Sequence, residues 1–396
     1  MNIRNNYKHT ITASYIGYIT QAIVNNFAPL LFLTFRSAYG ISLEKISLLV
    51  TINFGTQLLV DFLSAKYIDK IGYRISVIAA HLFAVAGLIG LGTLPSLFRE
   101  PYVGICLSVI LYAIGGGLIE VLISPIVEAC PTDDKSAAMS LLHSFYCWGC
   151  VLVILVSTGL FALFGIDSWK LIAGLWAIIP FFNALYFTQV PIASLTAEGE
   201  GMNIGALFRS KIFWLLALLM VCSGASEQSM SQWASAFAEG ALHVSKTVGD
   251  LAGPCFFSIL MGSARVFHAK FADRLALSKY MGFCAALCIA SYLLAAFSPV
   301  AILSLLGCGI CGFSVGVMWP GTFSLASEKC PKGGTALFAL LALAGDTGCS
   351  LGPTVVGFVS GAFNDNLKAG LLAAILFPLL LLAGLYFCKK ILPVKA

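Results

Sequence analysis

Residues 101–127, PYVGICLSVILYAIGGGLIEVLISPIV, hold one charged side chain in 27 positions. A helix that crosses a bilayer needs about 20 mostly apolar residues, and this stretch supplies them. Cutting the chain at its polar and Pro/Gly clusters gives twelve such segments. They lie at approximately 10–35, 44–66, 75–97, 101–127, 137–163, 168–190, 211–238, 247–270, 279–297, 299–326, 335–361 and 368–388. With 59% hydrophobic and 10% charged residues, the chain is far from a soluble domain, where about 25% are charged. The expected fold class is all-α integral membrane with twelve transmembrane helices. The 38 glycines agree, because small residues let membrane helices approach closely.

The basic residues test that count. With both termini in the cytoplasm, seventeen of the 23 Lys and Arg fall on the cytoplasmic side and six outside. This is the asymmetry of the positive-inside rule, and one span more or fewer would scramble it. The net charge of +5 does not point to nucleic acid, since location matters more here than the sum. The thirteen cysteines sit mostly inside apolar runs, without the spacing of a metal site, and read as small packing residues. No cleavable leader is evident in MNIRNNYKHTITASYIGY.

The chain also repeats itself at half its length. AKYIDK (65–70) returns as AKFADR (269–274), and EACP (128–131) as EKCP (328–331). Both pairs map span n onto span n+6. This implies an N-terminal six-helix bundle over 1–190, a cytoplasmic linker over 191–210 and a C-terminal bundle over 211–396. Parallel six-span halves of this kind rock about a central cavity to give alternating access.

These residues resemble the major facilitator superfamily, whose loop between spans 2 and 3 has the form G-x-x-x-D-[RK]-x-G-x-[RK]. Here it reads AKYIDKIGYR, with Asp69, Lys70, Gly72 and Arg74 on the pattern. The second copy keeps Asp273 and Arg274 and loses the glycine. A narrower resemblance is to the fucose permease and glucose/galactose transporter branch. It rests on GGGLIEVLISPIVEACP (115–131), on MSLLHSFYCWG (139–149), on NNFAPLLFLTF (25–35) and on GVMWPGTFSLASEKCP (316–331). The branch implies a 6+6 pseudo-symmetric fold and a proton-coupled sugar carrier. One departure stands out: where the fucose permease has an acidic residue in span 1, this chain has Ala28 and Pro29.

Charges inside a span are costly and point to function. Glu120, Glu227 and Asp346 are the candidates for proton coupling. Glu120 follows three glycines, and a buried carboxyl that titrates near physiological pH is what a symporter needs; a protonated Glu bonded to a neighbouring helix is the plainer alternative. Candidates for solute binding are Asn25, Asn26, Gln57, Glu120, His143, Tyr146, Glu227, Gln228, Gln232, Trp233 and Trp319. In span 7, SGASEQSMSQW combines polar groups with an aromatic surface, the two elements a sugar site uses. Its plainer alternative is the polar outer end of a span. Candidates for gating at the cytoplasmic rim are Asp61, Asp69, Lys70, Arg74, Glu128, Arg265, Asp273, Arg274 and Glu328. Pro125 and Pro320 are expected to kink their helices.

The leading expectation is a secondary active transporter, not an enzyme, with no cofactor and no metal. It sits in the cytoplasmic (inner) membrane, moves a small polar solute, most simply a sugar, by proton symport, and acts as a monomer. The absence of a Walker motif argues against an ATP-driven pump. A drug/proton antiporter of the same fold is the alternative, although its span 5 motif G-x-x-x-G-P appears here only in span 11, as GCSLGP (348–353). A proton-independent facilitator is the other.

Overall fold

A computed structural model describes residues 3–131, 135–192, 204–271, 276–330 and 334–391. Among these residues the regular structure is entirely helical. Eleven helical runs are long and apolar enough to cross a membrane. The twelfth, Lys246–Phe271, is not one uniform helix. Lys246–Asp250 passes into a π-helical turn, Leu251–Cys255, and then into Phe256–Phe271. Pro254 sits in that turn; its ring and missing N–H exclude a normal i→i−4 bond, and the ladder widens around it.

Prolines explain the other breaks. Span 1 runs Tyr7–Asn26, passes through a 3-10 turn at Ala28–Leu31 that contains Pro29, and resumes at Phe32–Tyr39. Span 10 is Ala301–Val315 followed by Met318–Lys329. Pro320 cannot donate to the carbonyl of Gly316, so that oxygen is open to another donor. Span 4, Pro101–Glu128, by contrast runs through Pro125 without interruption. Spans 2, 3 and 5 are Leu43–Ile71, Tyr73–Thr93 and Lys135–Phe164. Span 6 is Trp169–Trp176 with Ile178–Gln189. Spans 7, 9 and 11 are Lys211–Leu242, Leu277–Phe297 and Gly334–Ala362. Span 12 joins Leu367–Ala374 to Leu376–Ile391. Ends are capped conventionally: Asn6, Ser245 and Asn366 accept backbone N–H groups, and Gly40 closes span 1 in the left-handed region at φ 65°.

The chain divides into two compact units. The first is Met1–Ser42 with Ile52–Thr196, the second Leu43–Thr51 with Ala197–Ala396. The first turns of span 2 thus belong with the second unit, where the hydroxyls of Thr51 and Thr354 hydrogen-bond.

In the first unit, span 4 is drawn against three neighbours by consecutive glycines. A β-carbon on Gly115 would lie 2.5 Å from the Ala80 carbonyl of span 3. One on Gly116 would lie 3.1 Å from Gln21 Oε1 of span 1, and one on Gly117 3.0 Å from Gln57 Cα of span 2. In the second unit the tightest seam joins spans 7 and 11. A β-carbon on Gly348 would fall 2.0 Å from the Val221 carbonyl, and one on Gly352 2.5 Å from that of Ala225. The glycines of GCSLGP are therefore helix-packing positions. Outward faces carry large apolar side chains such as Phe62, Leu163 and Phe182, as lipid-facing surfaces do.

Candidate functional site

The first unit holds a hydrogen-bonded chain of five polar side chains inside its spans. Gln21 and Asn25 are one turn apart on span 1, and Asn53 and Gln57 are one turn apart on span 2. Each pair therefore faces one way. Gln21 Nε2 donates to Glu120 Oε2 and to Gln57 Oε1, each at 3.0 Å. Gln57 Nε2 donates to Asn25 Oδ1 at 2.9 Å, and Asn53 Nδ2 donates to the same oxygen at 3.1 Å. Glu120 is half-buried and the four amides are buried.

One turn beyond Glu120, Ser124 shares a hydrogen bond of 2.9 Å with Tyr18. The Tyr18 ring tilts against His143 at 5.4 Å, and Tyr15 stacks on Phe145 at 4.3 Å. Asn26 points instead to span 5 and to its own helix, donating to Cys150 Sγ and to the Ala22 carbonyl. Tyr146 packs, partly buried, against the apolar core of the unit.

The second unit builds its polar patch on span 7. Glu227 Oε2 lies 3.6 Å from the Arg265 guanidinium, an ion pair between spans 7 and 8 with Glu227 buried and Arg265 partly exposed. Arg265 Nε donates to the Gly316 carbonyl at 3.3 Å, the oxygen that Pro320 leaves open. Gln228 Nε2 donates to Glu227 Oε1 at 3.3 Å, and Gln232 Nε2 donates to Gln228 Oε1 at 3.0 Å. Trp233 is fully enclosed: its indole N–H donates to the Pro353 carbonyl at 3.0 Å. It joins spans 7 and 11 and offers no open aromatic face. Trp319 is half-buried and its ring stands over Gly345, beside the buried Asp346.

The rim residues are distributed unevenly. Arg74 donates to the carbonyls of Phe187 and Val190 at 2.7 and 2.9 Å, so it caps the C-terminal end of span 6 in its own unit. Asp61 is half-buried one turn beyond Gln57. Glu328 is exposed and pairs with Lys329 at 2.7 Å. The side chains of Asp69, Lys70 and Glu128 lie outside the described residues, as do Asp273 and Arg274.

Two features escape a reading of the sequence. Gln21, the link between Glu120 and the other amides, was detectable only as the residue four before Asn25, mirroring Asn53 and Gln57. Near the C-terminal end of span 7, Asp250 is 0% exposed and accepts from Ser235 Oγ at 2.5 Å and from Lys246 Nζ at 3.0 Å. Lys246 also pairs with Glu239 at 3.2 Å. Among the described residues no cluster of His, Cys, Asp and Glu is arranged to hold a metal, and the thirteen cysteines form no disulfide.

A sequence profile of the Major Facilitator Superfamily matches residues 14–353. The chain belongs to that superfamily. It is a multi-pass membrane transporter with the superfamily's twelve-helix fold. Solved structures share this fold at low sequence identity. A bacterial homologue of the human lysosomal transporter Spinster matches with TM-score 0.78 at 14% identity, over 97% of each chain. The D-xylose-proton symporter matches with TM-score 0.76 at 14% identity, over 97% of this chain and 96% of that one. The E. coli fucose:proton symporter FucP matches with TM-score 0.64 at 14% identity, over 96% and 98%. No curated protein matches the chain in sequence.

Proposed function

We propose that this superfamily member is a proton-coupled symporter for a small polyhydroxylated solute, most simply a sugar, working by alternating access in the cytoplasmic membrane with both termini inside. The observation that carries the reading is the Glu120 carboxylate bound to Gln21 within the span interior. A carboxyl in that setting can gain and lose a proton, and its amide neighbours hydrogen-bond hydroxyl groups. Two structural relatives are named as sugar–proton symporters, which supports the class of solute. In this reading Glu120 carries the proton, with Glu227 and Asp346 as further acidic groups of the coupling path. Asn25, Gln57, His143 and Gln228 contact the solute. Asp61, Arg265 and the two copies of the loop motif serve gating. The transporter works as a monomer and takes no nucleic acid.

A specific observation favours a second reading, a proton-independent facilitator: Ala28 and Pro29 occupy a 3-10 turn where the fucose permease carries its span 1 acid. Proteoliposomes decide between them. Hexoses, deoxyhexoses and amphipathic cations are added in turn while internal pH is followed. Symport predicts sugar-driven proton entry that Glu120→Gln abolishes. Sugar entry with no proton movement establishes the facilitator. Proton release driven only by the amphipathic cations would mean a drug/proton antiporter.

A further inference from the structure

The amide chain in the first unit has a direction, and Glu120 sets it. An ionised carboxylate only accepts hydrogen bonds, so the Gln21 amide must turn its NH2 toward it. That same NH2 meets Gln57 Oε1, which forces Gln57 to turn its own NH2 to Asn25. Asn53 likewise donates to Asn25 Oδ1. The consequence is visible at the two ends of the chain. Gln21 Oε1 and Asn53 Oδ1 are buried without any hydrogen-bond partner, in residues 2% and 4% exposed. Leaving a buried acceptor unsatisfied is costly.

We propose that protonation of Glu120 reverses this chain, so that Gln21, Gln57, Asn25 and Asn53 form a relay that reports the proton to the break in span 1. A protonated Glu120 gains an O–H donor. Gln21 then turns Oε1 to it, and Gln57 turns Nε2 to the same oxygen. Asn25 turns Nδ2 to Gln57 Oε1 and to Asn53 Oδ1. Asn53 turns with it; four hydrogen bonds are exchanged for four, and the unbonded places that the Gln21 and Asn53 oxygens held pass to their NH2 groups, so the two arrangements stay balanced. The only proton gained is the one on Glu120; every amide stays neutral and rotates about its last C–C bond. The Gln21 amide has room to turn because Gly116 carries no side chain where Oε1 now lies. The far end of the relay, Asn25, is one residue from the end of the first helix of span 1, just before the 3-10 turn Ala28–Leu31. Two near-equal arrangements of one network are what a bistable switch requires.

The spans packed around Glu120 bring other titratable groups into the region. Tyr18 is bonded to Ser124, and His143 lies against the Tyr18 ring. Asp61 follows Gln57 by one turn on span 2. His81 of span 3 faces away into its own pair of bonds, with the Val77 carbonyl and with Asn183 Nδ2. Arg74 of span 3 is held by carbonyls of span 6. The test must therefore isolate Glu120. The relay rests on the reading of Glu120 as the proton carrier, and the experiment separates the two.

Full-length protein in nanodiscs is labelled with 15N in Gln and Asn side-chain amides and with 13C in Glu carboxyls. Spectra are followed between about pH 4 and pH 10, and Glu120→Gln assigns the Glu120 signal. The expected result is that the Gln57 and Asn25 amide signals shift with the midpoint of Glu120 and lose that titration in Glu120→Gln. Gln21→Leu uncouples Gln57 from Glu120 while Glu120 still titrates. If that variant does not fold, Gln57→Leu is used, and Asn25 stops following while Gln21 continues. Gln57 and Asn25 signals that stay constant while Glu120 titrates overturn the relay and leave the proton carrier standing. A Glu120 signal that never titrates overturns both.

Discussion

Gln21 Nε2 bridges Glu120 Oε2 and Gln57 Oε1 at 3.0 Å each, and so ties spans 1, 2 and 4 together through one amide group. Removing it leaves a carboxylate and an amide oxygen without that donor in a region shielded from water. Polar contacts of this kind contribute about 1–2 kcal/mol in membrane proteins, and two are lost. Gln21→Leu is expected to lower unfolding stability in detergent by about 1–3 kcal/mol. Gln21→Glu, which sets a second carboxylate beside Glu120, is expected to be worse at neutral pH than at low pH, because two adjacent carboxylates cannot both remain ionised cheaply. Thermal unfolding at two pH values measures both, and equal stability of Gln21→Leu and wild type would show the bridge to be energetically idle.

The seam between spans 7 and 11 allows a cleaner packing prediction. The built β-carbon of Gly348 meets a backbone oxygen at 2.0 Å, and backbone cannot move aside as a side chain does. Gly348→Ala is expected to destabilise by about 1–3 kcal/mol through forced separation of the two helices. Gly159 on span 5 has nothing within 4 Å of its β-carbon position. Gly159→Ala is expected to be neutral or to stabilise by up to about 1 kcal/mol, since alanine restricts the unfolded chain. The melting temperature should fall for Gly348→Ala and hold or rise for Gly159→Ala, and a comparable fall in both would contradict the packing described.

The ion cluster at the C-terminal end of span 7 has two carboxylates around one amine. Asp250 is wholly buried and Lys246 bridges it to Glu239. Removing one partner of a buried pair strands the other charge, at about 3–5 kcal/mol. Lys246→Met is therefore expected to lower stability severely. Lys246→Met combined with Asp250→Asn is expected to recover most of the loss. Denaturation of wild type, Lys246→Met, Asp250→Asn and the double variant forms a double-mutant cycle; additive losses would mean that the contact carries no coupling.

Much of this was legible in the chain before any coordinates. Apolar runs of bilayer length and the skewed placement of Lys and Arg specify twelve spans, because the membrane penalises unpaired backbone and misplaced charge wherever they fall. Glu120 stood out for the same reason. Span 8 was legible as a segment but not as a helix interrupted at Pro254, since that depends on how one turn accommodates a missing N–H. The bond from Gln21 to Glu120 was hidden because Gln21 lies 99 positions away on another helix. Periodicity gives the face of each helix and not the rotation of one helix against the next. Trp233 illustrates the same limit. Its neighbours Gln228 and Gln232 suggest a wet surface, yet the ring is turned into span 11, where Gly357 leaves it space.

The first copy of the repeat's second pair, EACP (128–131), holds a cysteine whose chemistry can be tested. Cys130, in EACP, is buried and donates to the Ile126 carbonyl at 3.2 Å. Burial pushes its thiol up to about 11. The thiolate is the reactive form, so at pH 8 only about a thousandth of Cys130 is available, and reactivity grows as pH rises toward that value. Its counterpart Cys330, in EKCP, is partly exposed. Brief maleimide treatment of the folded protein at pH 8, read by peptide mass spectrometry, is expected to modify Cys330 well ahead of Cys130. Equal labelling would show that the EACP corner opens to solvent.

The two copies of the loop motif differ in a way that backbone geometry accounts for. Gly72 precedes span 3 at φ 93° and ψ 139°, a conformation closed to residues with a β-carbon. At the equivalent place before span 9 stands Ala276, at φ −66° and ψ 105°, which any residue adopts. Ala276 therefore stands without strain where the first copy requires Gly72. Gly72→Ala is expected to cost about 1–3 kcal/mol and to disturb the turn that carries Asp69 and Lys70. Ala276→Gly is expected to cost less than about 1 kcal/mol, from chain entropy alone. If the first copy carries most of the gating, Gly72→Ala and Asp69→Asn should each slow transport more than Ala276→Gly and Asp273→Asn. Initial uptake rates in proteoliposomes, corrected for the amount of folded protein, test the ranking. A larger loss from Asp273→Asn than from Asp69→Asn would reverse it and assign the principal latch to the copy without the glycine.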